Sequence, residues 1–290
     1  MKLLHDLVSA KKITPPSWMV NNTIHAVITG SYAYGINTNS SDIDIYGICL
    51  PPLKMIFPHL TGEIQGFGEP APRFQHFQQH HVNHDHKTYD FTIYSIVKFF
   101  NLAMKNNPNI IDVLFLPQNC VLHSTPSSQK IILNRDQFLH TGLFSEFVGY
   151  AVAQQRKMRE GANRKNEKRK QTIDTYGYDT KFASHNVRLL VQAKSLFENG
   201  EINFKDHAEL IMSVRNGEWS LEKIDEWTEN VITELRGLRD KSTLPSEPNY
   251  VKLKALLMEI IEDHYGPVSM KIINDSEVLG DLKRLLEKYQ

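Results

Sequence analysis

Residues 30–47, GSYAYGINTNSSDIDIYG, decide the fold, because they join two strand-forming segments through a glycine-rich turn. The segment before them, Ile24–Thr29, is rich in β-branched residues, which favour strands. The segment that ends them, Asp42–Leu50, alternates acidic and apolar residues and is followed by two prolines. Proline cannot continue a central strand, so the pattern predicts a strand, a turn and a second strand.

Asp42 and Asp44 are two residues apart in the second predicted strand. Residues at that spacing point to the same face, so both carboxylates project together while Ile43 and Ile45 point into a core. Two carboxylates this close repel each other unless a cation lies between them. Mg²⁺ takes such hard oxygen ligands together with substrate phosphates, so the pattern favours a metal-binding pair.

The turn before this pair is suited to phosphate. Gly30 allows a backbone to approach closely, and Ser31 offers both a hydroxyl group and an N–H group. We therefore expect a phosphate-holding turn beside the carboxylates.

The whole stretch resembles the signature of the DNA polymerase β-type nucleotidyltransferase superfamily, and most closely the predicted nucleotidyltransferases associated with RNA ligase and RNA repair. Those proteins carry a G-S-x-A-Y-G…S-D-x-D-x-x-G pattern. The matching residues are Gly30, Ser31, Ala33, Tyr34, Gly35, Ser41, Asp42, Asp44 and Gly47. The resemblance also implies that a short helix begins after the Gly-Ser turn, with its N–H groups facing the triphosphate.

We expect an α+β fold with two domains. A small mixed β-sheet nucleotidyltransferase domain with flanking helices would span residues 1–140. An α-helical domain would span residues 141–290 and close the nucleotide cleft. The second half shows helical periodicity over Phe138–Met158, over Leu221–Leu238 and over Tyr250–Glu262, and the tail from Asp281 to Gln290 is predicted to be a short helix.

Asp90 is the expected third carboxylate. It lies in a predicted strand, Tyr89–Tyr94, which precedes a predicted helix, Ser95–Lys105. By itself, an aspartate there could instead stabilise the helix start. The resemblance implies that Asp42, Asp44 and Asp90 are the catalytic residues and hold two Mg²⁺ ions, with Mn²⁺ as an alternative.

A later segment places Lys181, His185 and Arg188 on one face of a predicted helix, at positions i, i+4 and i+7. Three such groups without an acidic partner favour an anion opposite them. The family has a similar Y-D-x-K-x-x-x-H-x-x-R helix, which implies contact with the nucleotide across the cleft; His185 could instead be a core histidine. The expected nucleotide-binding residues are Gly30, Ser31, Ser41, Lys181, His185 and Arg188.

Two further features have open interpretations. Residues 53–88 are predicted to be irregular and contain a histidine-rich piece: His76, His80, His81, His84 and His86. These histidines could bind a transition metal, contact phosphate, or lie on a solvated hairpin.

Asp112 could orient the site or carry a surface charge, and a structural role is favoured.

The run Arg156–Lys170 carries eight positive and two negative side chains, a net charge of +6. Such a run is often a solvated helix end or linker, but it could also follow the phosphates of RNA or tRNA. Over the whole chain, Lys and Arg number 33 and so do Asp and Glu, which excludes a general polycation.

Two cysteines exclude a disulfide framework and fit a reducing compartment. No long apolar run is present, so we expect a cytoplasmic protein without a membrane partner.

The function expected from these features is Mg²⁺-dependent transfer of a nucleoside monophosphate from an NTP, with ATP or CTP favoured, to an acceptor hydroxyl. An RNA or tRNA 3′ end is the favoured acceptor. Two alternatives stay open: nucleotidylation of a protein or small molecule, and a non-catalytic nucleotide-binding or antitoxin-like role.

Overall fold

A computed structural model describes residues 1–38, 41–57, 73–160 and 167–267 of the chain, and only the backbone at residues 160 and 167–169. Within these ranges lies a five-stranded sheet in the order β3-β4-β2-β1-β5. Its strands are β1 (Thr23–Thr29), β2 (Ile43–Cys49), β3 (His76–His84), β4 (Lys87–Ser95) and β5 (Val121–Ser124). β2 and β4 are parallel and the other pairs antiparallel, so the predicted small mixed sheet is confirmed.

Helices flank the sheet and make up most of the second half of the chain. They are α1 (Lys2–Ser9), α2 (Leu53–Ile56), α3 (Ile96–Ala103), α4 (Pro108–Phe115), α5 (Pro126–Leu133), α6 (Leu143–Glu160), α7 (Glu167–Tyr176), α8 (Thr180–Asn199), α9 (Ala208–Arg215), α10 (Leu221–Lys241) and α11 (Tyr250–Tyr265). The predicted α+β class is therefore confirmed. None of the helices in the described ranges is long and apolar enough to cross a membrane.

The alternation in β2 sends its side chains to opposite sides of the sheet. Ile43 and Ile45 are buried in a smaller apolar cluster that includes Leu7 of α1. Ile48 is buried in a larger cluster that runs from β1 to α8 and α11. The acidic residue between the two isoleucines therefore faces the helical side, as the period of two requires.

Helix α8 matters most for the site, and its ends have clear local causes. Asp179 caps its start by accepting hydrogen bonds from the N–H groups of Lys181, at 2.9 Å, and Phe182, at 3.2 Å. Gly200 ends it in the left-handed conformation, with φ of 69°. The aspartate of the Y-D-x-K pattern is thus a helix cap.

Several sequence predictions need correction. Residues 53–88 are not irregular throughout, since α2 and β3 lie among them. The expected helix after the Gly-Ser turn is a single 3₁₀ turn, Gly30–Tyr32, and the first long helix of the second half begins at Leu143 rather than Phe138. The predicted tail helix lies outside the described residues, and the division near residue 140 stays a prediction.

The histidine-rich piece forms the hairpin of β3 and β4. Its turn consists of Asp85 and His86, with φ of 47° and 62°, between the paired residues His84 and Lys87. Two positive φ values are typical of the tight turn that matches the twist of a two-stranded ribbon. The histidine-rich piece is therefore a hairpin, and whether its histidines bind a metal or phosphate stays a separate prediction.

Candidate active site

Asp44 and Asp90 lie side by side in the centre of the sheet. β2 and β4 are parallel, and their register pairs Asp44 directly with Asp90. Residues that pair across neighbouring strands point to the same face. Asp90 lies well inside β4, and it is Ser95 that caps the following helix by accepting a hydrogen bond from the N–H of Lys98 at 3.1 Å. The helix-start interpretation of Asp90 is therefore wrong.

Asp42 lies just before β2 and is exposed. One carboxylate oxygen of Asp42, one of Asp90 and one ring nitrogen of His81 all lie within 4.8 Å of one another. Oxygen and imidazole donors at this spacing fit a divalent cation. The structure thus brings two of the three predicted metal ligands together with a histidine, and places Asp44 beside Asp90 on the adjacent strand.

Gly30 lets the Asp44 carboxylate lie against the turn. A Cβ atom at Gly30 would be 2.1 Å from Oδ2 of Asp44, and the backbone there has a φ of 64°. Both facts require glycine at this position. Ser31, in the same turn, is half-buried, and its carbonyl accepts a hydrogen bond from the N–H of Ile36 at 3.0 Å.

The charge of Asp44 is poorly compensated. Burial raises the pKa of its carboxyl group, and the neighbouring Asp90 raises it further. The positive charges of Lys181 and Arg188 on α8 lower the pKa of this carboxyl group, and so oppose the first two effects. Removal from water and like charge both disfavour the ionised form, so a cation would relieve the repulsion.

Arg188 is more deeply enclosed than Lys181, which is exposed. Its guanidinium lies 4.7 Å from the centre of the Tyr34 ring, and its Nη1 lies 3.6 Å from Oδ2 of Asp112. The side chains of Arg188 and Asp112 are only 10% and 7% exposed. The premise that this face of α8 has no acidic partner is therefore wrong for Arg188, because α4 supplies Asp112.

A buried hydrogen-bond network continues from this pair. The Tyr34 hydroxyl donates to Oδ2 of Asp112 at 2.5 Å. Gln192 donates through Nε2 to Oδ1 of Asp112 and to the Tyr34 hydroxyl oxygen, both at 2.6 Å. Tyr34 follows the Gly-Ser turn, so the network ties that turn to α4 and α8. The favoured structural interpretation of Asp112 agrees with these contacts.

Gln192 was not identified from the sequence as part of the site. Gln192 lies four residues after Arg188, so it continues the helix face of Lys181, His185 and Arg188 by one turn. His185 is half-buried on this helix.

Ser41 lies just before Asp42, and its hydroxyl accepts a hydrogen bond from the N–H of Thr38 at 2.8 Å. Ser41 therefore contacts Thr38 just before β2 begins.

The basic run is only partly described, and two of its residues in α6 contact the rest of the fold. Arg159 forms an ion pair with Asp225 of α10, which also accepts a hydrogen bond from Gln155 at 2.7 Å. The Lys157 ammonium lies 5.9 Å from the centre of the Phe182 ring. These contacts support a structural role for this part of the run.

Comparison with known proteins identifies the family to which this chain belongs. The model of the RNA repair pathway DNA polymerase beta family matches residues 4–259, which is most of the chain. The chain belongs to this family. The resemblance predicted from the residues is thereby confirmed, and membership implies a transferase of the polymerase β nucleotidyltransferase type.

Two individual proteins resemble this family member. An uncharacterized 38.9 kDa protein in the nrdC-mobD intergenic region of Enterobacteria phage T4 is 31% identical over 131 residues. The match covers 43% of this chain and 35% of the phage protein, about a third of its length. A crystal structure of a nucleotidyltransferase-like protein from Exiguobacterium sibiricum 255-15 aligns with 89% of this chain and 78% of its own, at 12% identity and a TM-score of 0.29.

Proposed function

We propose that this protein transfers a nucleoside monophosphate from an NTP to an acceptor hydroxyl, and releases pyrophosphate. The observation that carries the proposal is the pairing of Asp44 with Asp90 across parallel strands. Asp42 lies beside them and the glycine turn lies against Asp44. In the proposed reaction the carboxylates, the glycine turn and the cationic residues of α8 would act together on the nucleotide.

The proposed cation site uses Asp42, Asp44 and Asp90. Bound there, Mg²⁺ or a related divalent cation would supply positive charge to the triphosphate and to the attacking oxygen. The fit rests on the oxygen donors of Asp42 and Asp90, which lie within 4.8 Å of each other, and on the pairing of Asp44 with Asp90. The pKa of the Asp44 carboxyl group is raised by burial first and by Asp90 second, and a bound cation would offset both effects. The proposed site binds two such ions, as the family resemblance implies.

In the proposed reaction, Asp90 accepts the proton of the acceptor hydroxyl. The oxygen then forms a bond to the α-phosphorus, while the bond to the bridging oxygen breaks and pyrophosphate leaves with the electron pair. Oδ2 of Asp90 lies 3.2 Å from Nδ1 of His80, so a proton gained by the carboxylate can pass to a half-exposed imidazole. This arrangement suits a general base.

The other residues bind and orient the nucleotide. The backbone of Gly30 and Ser31 would hold the β- and γ-phosphates, and Lys181 would neutralise charge on the leaving pyrophosphate. Arg188 forms an ion pair with Asp112. The proposed contribution of Arg188 is therefore a fixed positive potential behind the phosphates. His185 and Ser41 would line the same nucleotide site.

The favoured acceptor is an RNA or tRNA 3′ end, and ATP or CTP is the favoured donor. The name of the matched family supports RNA. The net positive charge of the run Arg156–Lys170 supports an acceptor with phosphates. A protein or small-molecule acceptor is the alternative, and the experiment below separates a protein acceptor from RNA.

The test is label transfer from each α-³²P-labelled NTP, with Mg²⁺ and total cellular RNA or protein. Products are separated before and after treatment with nuclease or protease, and Asp42→Asn is the inactive control. Nuclease-sensitive label that Asp42→Asn fails to produce supports the proposal. Protease-sensitive label would replace RNA by a protein acceptor, and nucleotide binding without any transfer would contradict the proposed reaction.

A further inference from the structure

The strand β3 contains a bulge directly opposite Asp90. Gln79 pairs with Phe91 and Val82 pairs with Tyr89, so His80 and His81 together face the single residue Asp90. A bulge of this kind adds one residue to a strand and redirects a side chain, often beside an active site. His81 has a φ of 54°, which is unusual for a residue with a side chain.

The bulge brings both histidines to the Asp90 carboxylate. The backbone N–H of His81 donates to Oδ1 at 2.7 Å, and Nδ1 of His80 lies 3.2 Å from Oδ2. The Nδ1 atom of His81 lies 3.9 Å from Oδ1. The backbone of His81 therefore holds Asp90, while its ring is available for a different role.

That ring completes a mixed set of donors. A ring nitrogen of His81 and single oxygens of Asp42 and Asp90 all lie within 4.8 Å of one another. The side chain of His81 is 79% exposed, so the ring can adjust towards a bound ion without disturbing a core. Imidazole is a good ligand for divalent transition metals, whereas Mg²⁺ strongly prefers oxygen.

We propose that His81 is a nitrogen ligand of the cation site and makes the site prefer divalent transition-metal ions to Mg²⁺. The inference deepens the proposed function, because it concerns the cation of the same site. The carboxylates accept either class of ion, and the imidazole adds affinity only for the transition metals. Affinity is therefore expected to increase from Mg²⁺ through Mn²⁺ to Co²⁺.

The hairpin offers a matched pair of variants. His81→Gly removes the imidazole but keeps the backbone N–H that donates to Asp90, and glycine suits the positive φ. His86→Gly makes the same change at another exposed histidine with a positive φ, in the turn of the same hairpin. Any effect of glycine on the hairpin itself would appear in both variants.

The experiment measures Co²⁺ and Mg²⁺ affinity by titration calorimetry without nucleotide, and nitrogen coupling to bound Mn²⁺ by electron spin echo envelope modulation. We expect His81→Gly to weaken Co²⁺ binding by about tenfold or more, to change Mg²⁺ binding by less than about twofold, and to lose the imidazole nitrogen signal. His86→Gly is expected to match the wild type in all three measurements.

Two other outcomes would overturn the inference, and they affect the proposed function differently. Unchanged Co²⁺ affinity and nitrogen signal in His81→Gly, with binding still abolished by Asp42→Asn, would remove His81 as a ligand but leave the carboxylate site intact. A wild-type protein that binds none of the three ions would contradict both the inference and the proposed cation site.

Discussion

Gly30 and Asp44 touch so closely that a Cβ atom at residue 30 would lie 2.1 Å from Oδ2 of Asp44. The phosphate-suited turn and the central carboxylate are therefore positioned by one contact. Any side chain at residue 30 must displace the carboxylate, the turn or both, because atoms cannot approach to that distance.

Gly30→Ala is accordingly predicted to reduce transfer by about 100-fold, the effect expected when reacting groups are displaced by about 1 Å. Gly35→Ala is the matched control, since Gly35 has a φ of 68° and a Cβ atom there would meet nothing within 4 Å. Both variants are expected to lose about 1–2 kcal/mol from the left-handed backbone. Steady-state kinetics and urea unfolding separate the two effects, and equal activity in both variants would contradict the account.

Asp44→Asn is predicted to stabilise the cation-free protein while lowering transfer by about 10²–10³-fold. The pKa of the Asp44 carboxyl group is raised by burial and by Asp90, so the native state binds protons more tightly than the unfolded chain. Near neutral pH the ionised carboxylate therefore opposes folding, and an uncharged amide removes that effect.

The measurement is thermal unfolding with and without a divalent cation. The wild type is expected to gain more stability from the cation than Asp44→Asn does, because the cation relieves the same repulsion. A variant that is less stable than the wild type without cation would show that Asp44 has a structural role.

From the two-residue spacing alone, the sequence predicted that Asp42 and Asp44 lie close together at one strand. In the structure Asp44 lies in β2 and Asp42 just before it, and their catalytic role stays a prediction. Asp90 required the family resemblance, because its parallel pairing with Asp44 joins segments 46 residues apart, a separation that no local pattern reports.

The remaining features depend on tertiary structure. The bulge that turns His80 and His81 towards Asp90 has no marker in the sequence beyond the histidines themselves. The partner of Arg188 is on α4, so its pairing with Asp112 appears only when α4 and α8 pack together. Gln192 could have been found by extending the helical spacing by one turn.

Arg188→Leu is predicted to destabilise the protein by about 3–5 kcal/mol, because it leaves the buried Asp112 without a charged partner. The double variant Arg188→Leu/Asp112→Leu is expected to recover part of this loss, since both buried charges are gone but Tyr34 and Gln192 lose their acceptor. Urea unfolding measures both effects. A single variant that costs less than about 1 kcal/mol would contradict the account.

The same double variant separates stability from nucleotide binding. If Arg188 provides positive potential for the phosphates, the double variant is expected to bind NTP more weakly although it is folded. Wild-type NTP affinity in the folded double variant would limit Arg188 to a structural role.

The contribution of His25 to stability is predicted to rise with pH between about 4 and 6.5. Burial and the nearby His123 lower the pKa of His25 from 6.5 to about 4, so in that range the unfolded chain binds a proton that the native state does not. The pKa difference corresponds to about 3 kcal/mol of stability, which is lost as the pH falls from 6.5 to 4.

Urea unfolding across this pH range tests the prediction, with His25→Leu for comparison. The variant is expected to show a shallower slope, although not a flat one, because the pKa values of His123 and His264 are also lowered. An unchanged slope in His25→Leu would exclude His25 as the source, and His86→Gly serves as the control for an exposed histidine.

The most direct test of the central claim compares Asp90→Asn with Asp85→Asn in NTP-dependent pyrophosphate release with RNA present. Both changes remove one carboxylate from the β3–β4 hairpin, but only Asp90 faces Asp44 and the proposed cation. The account predicts that Asp90→Asn releases pyrophosphate at about 1% of the wild-type rate or less, and that Asp85→Asn matches the wild type. Equal rates in the two variants would contradict catalysis at the Asp44–Asp90 pair.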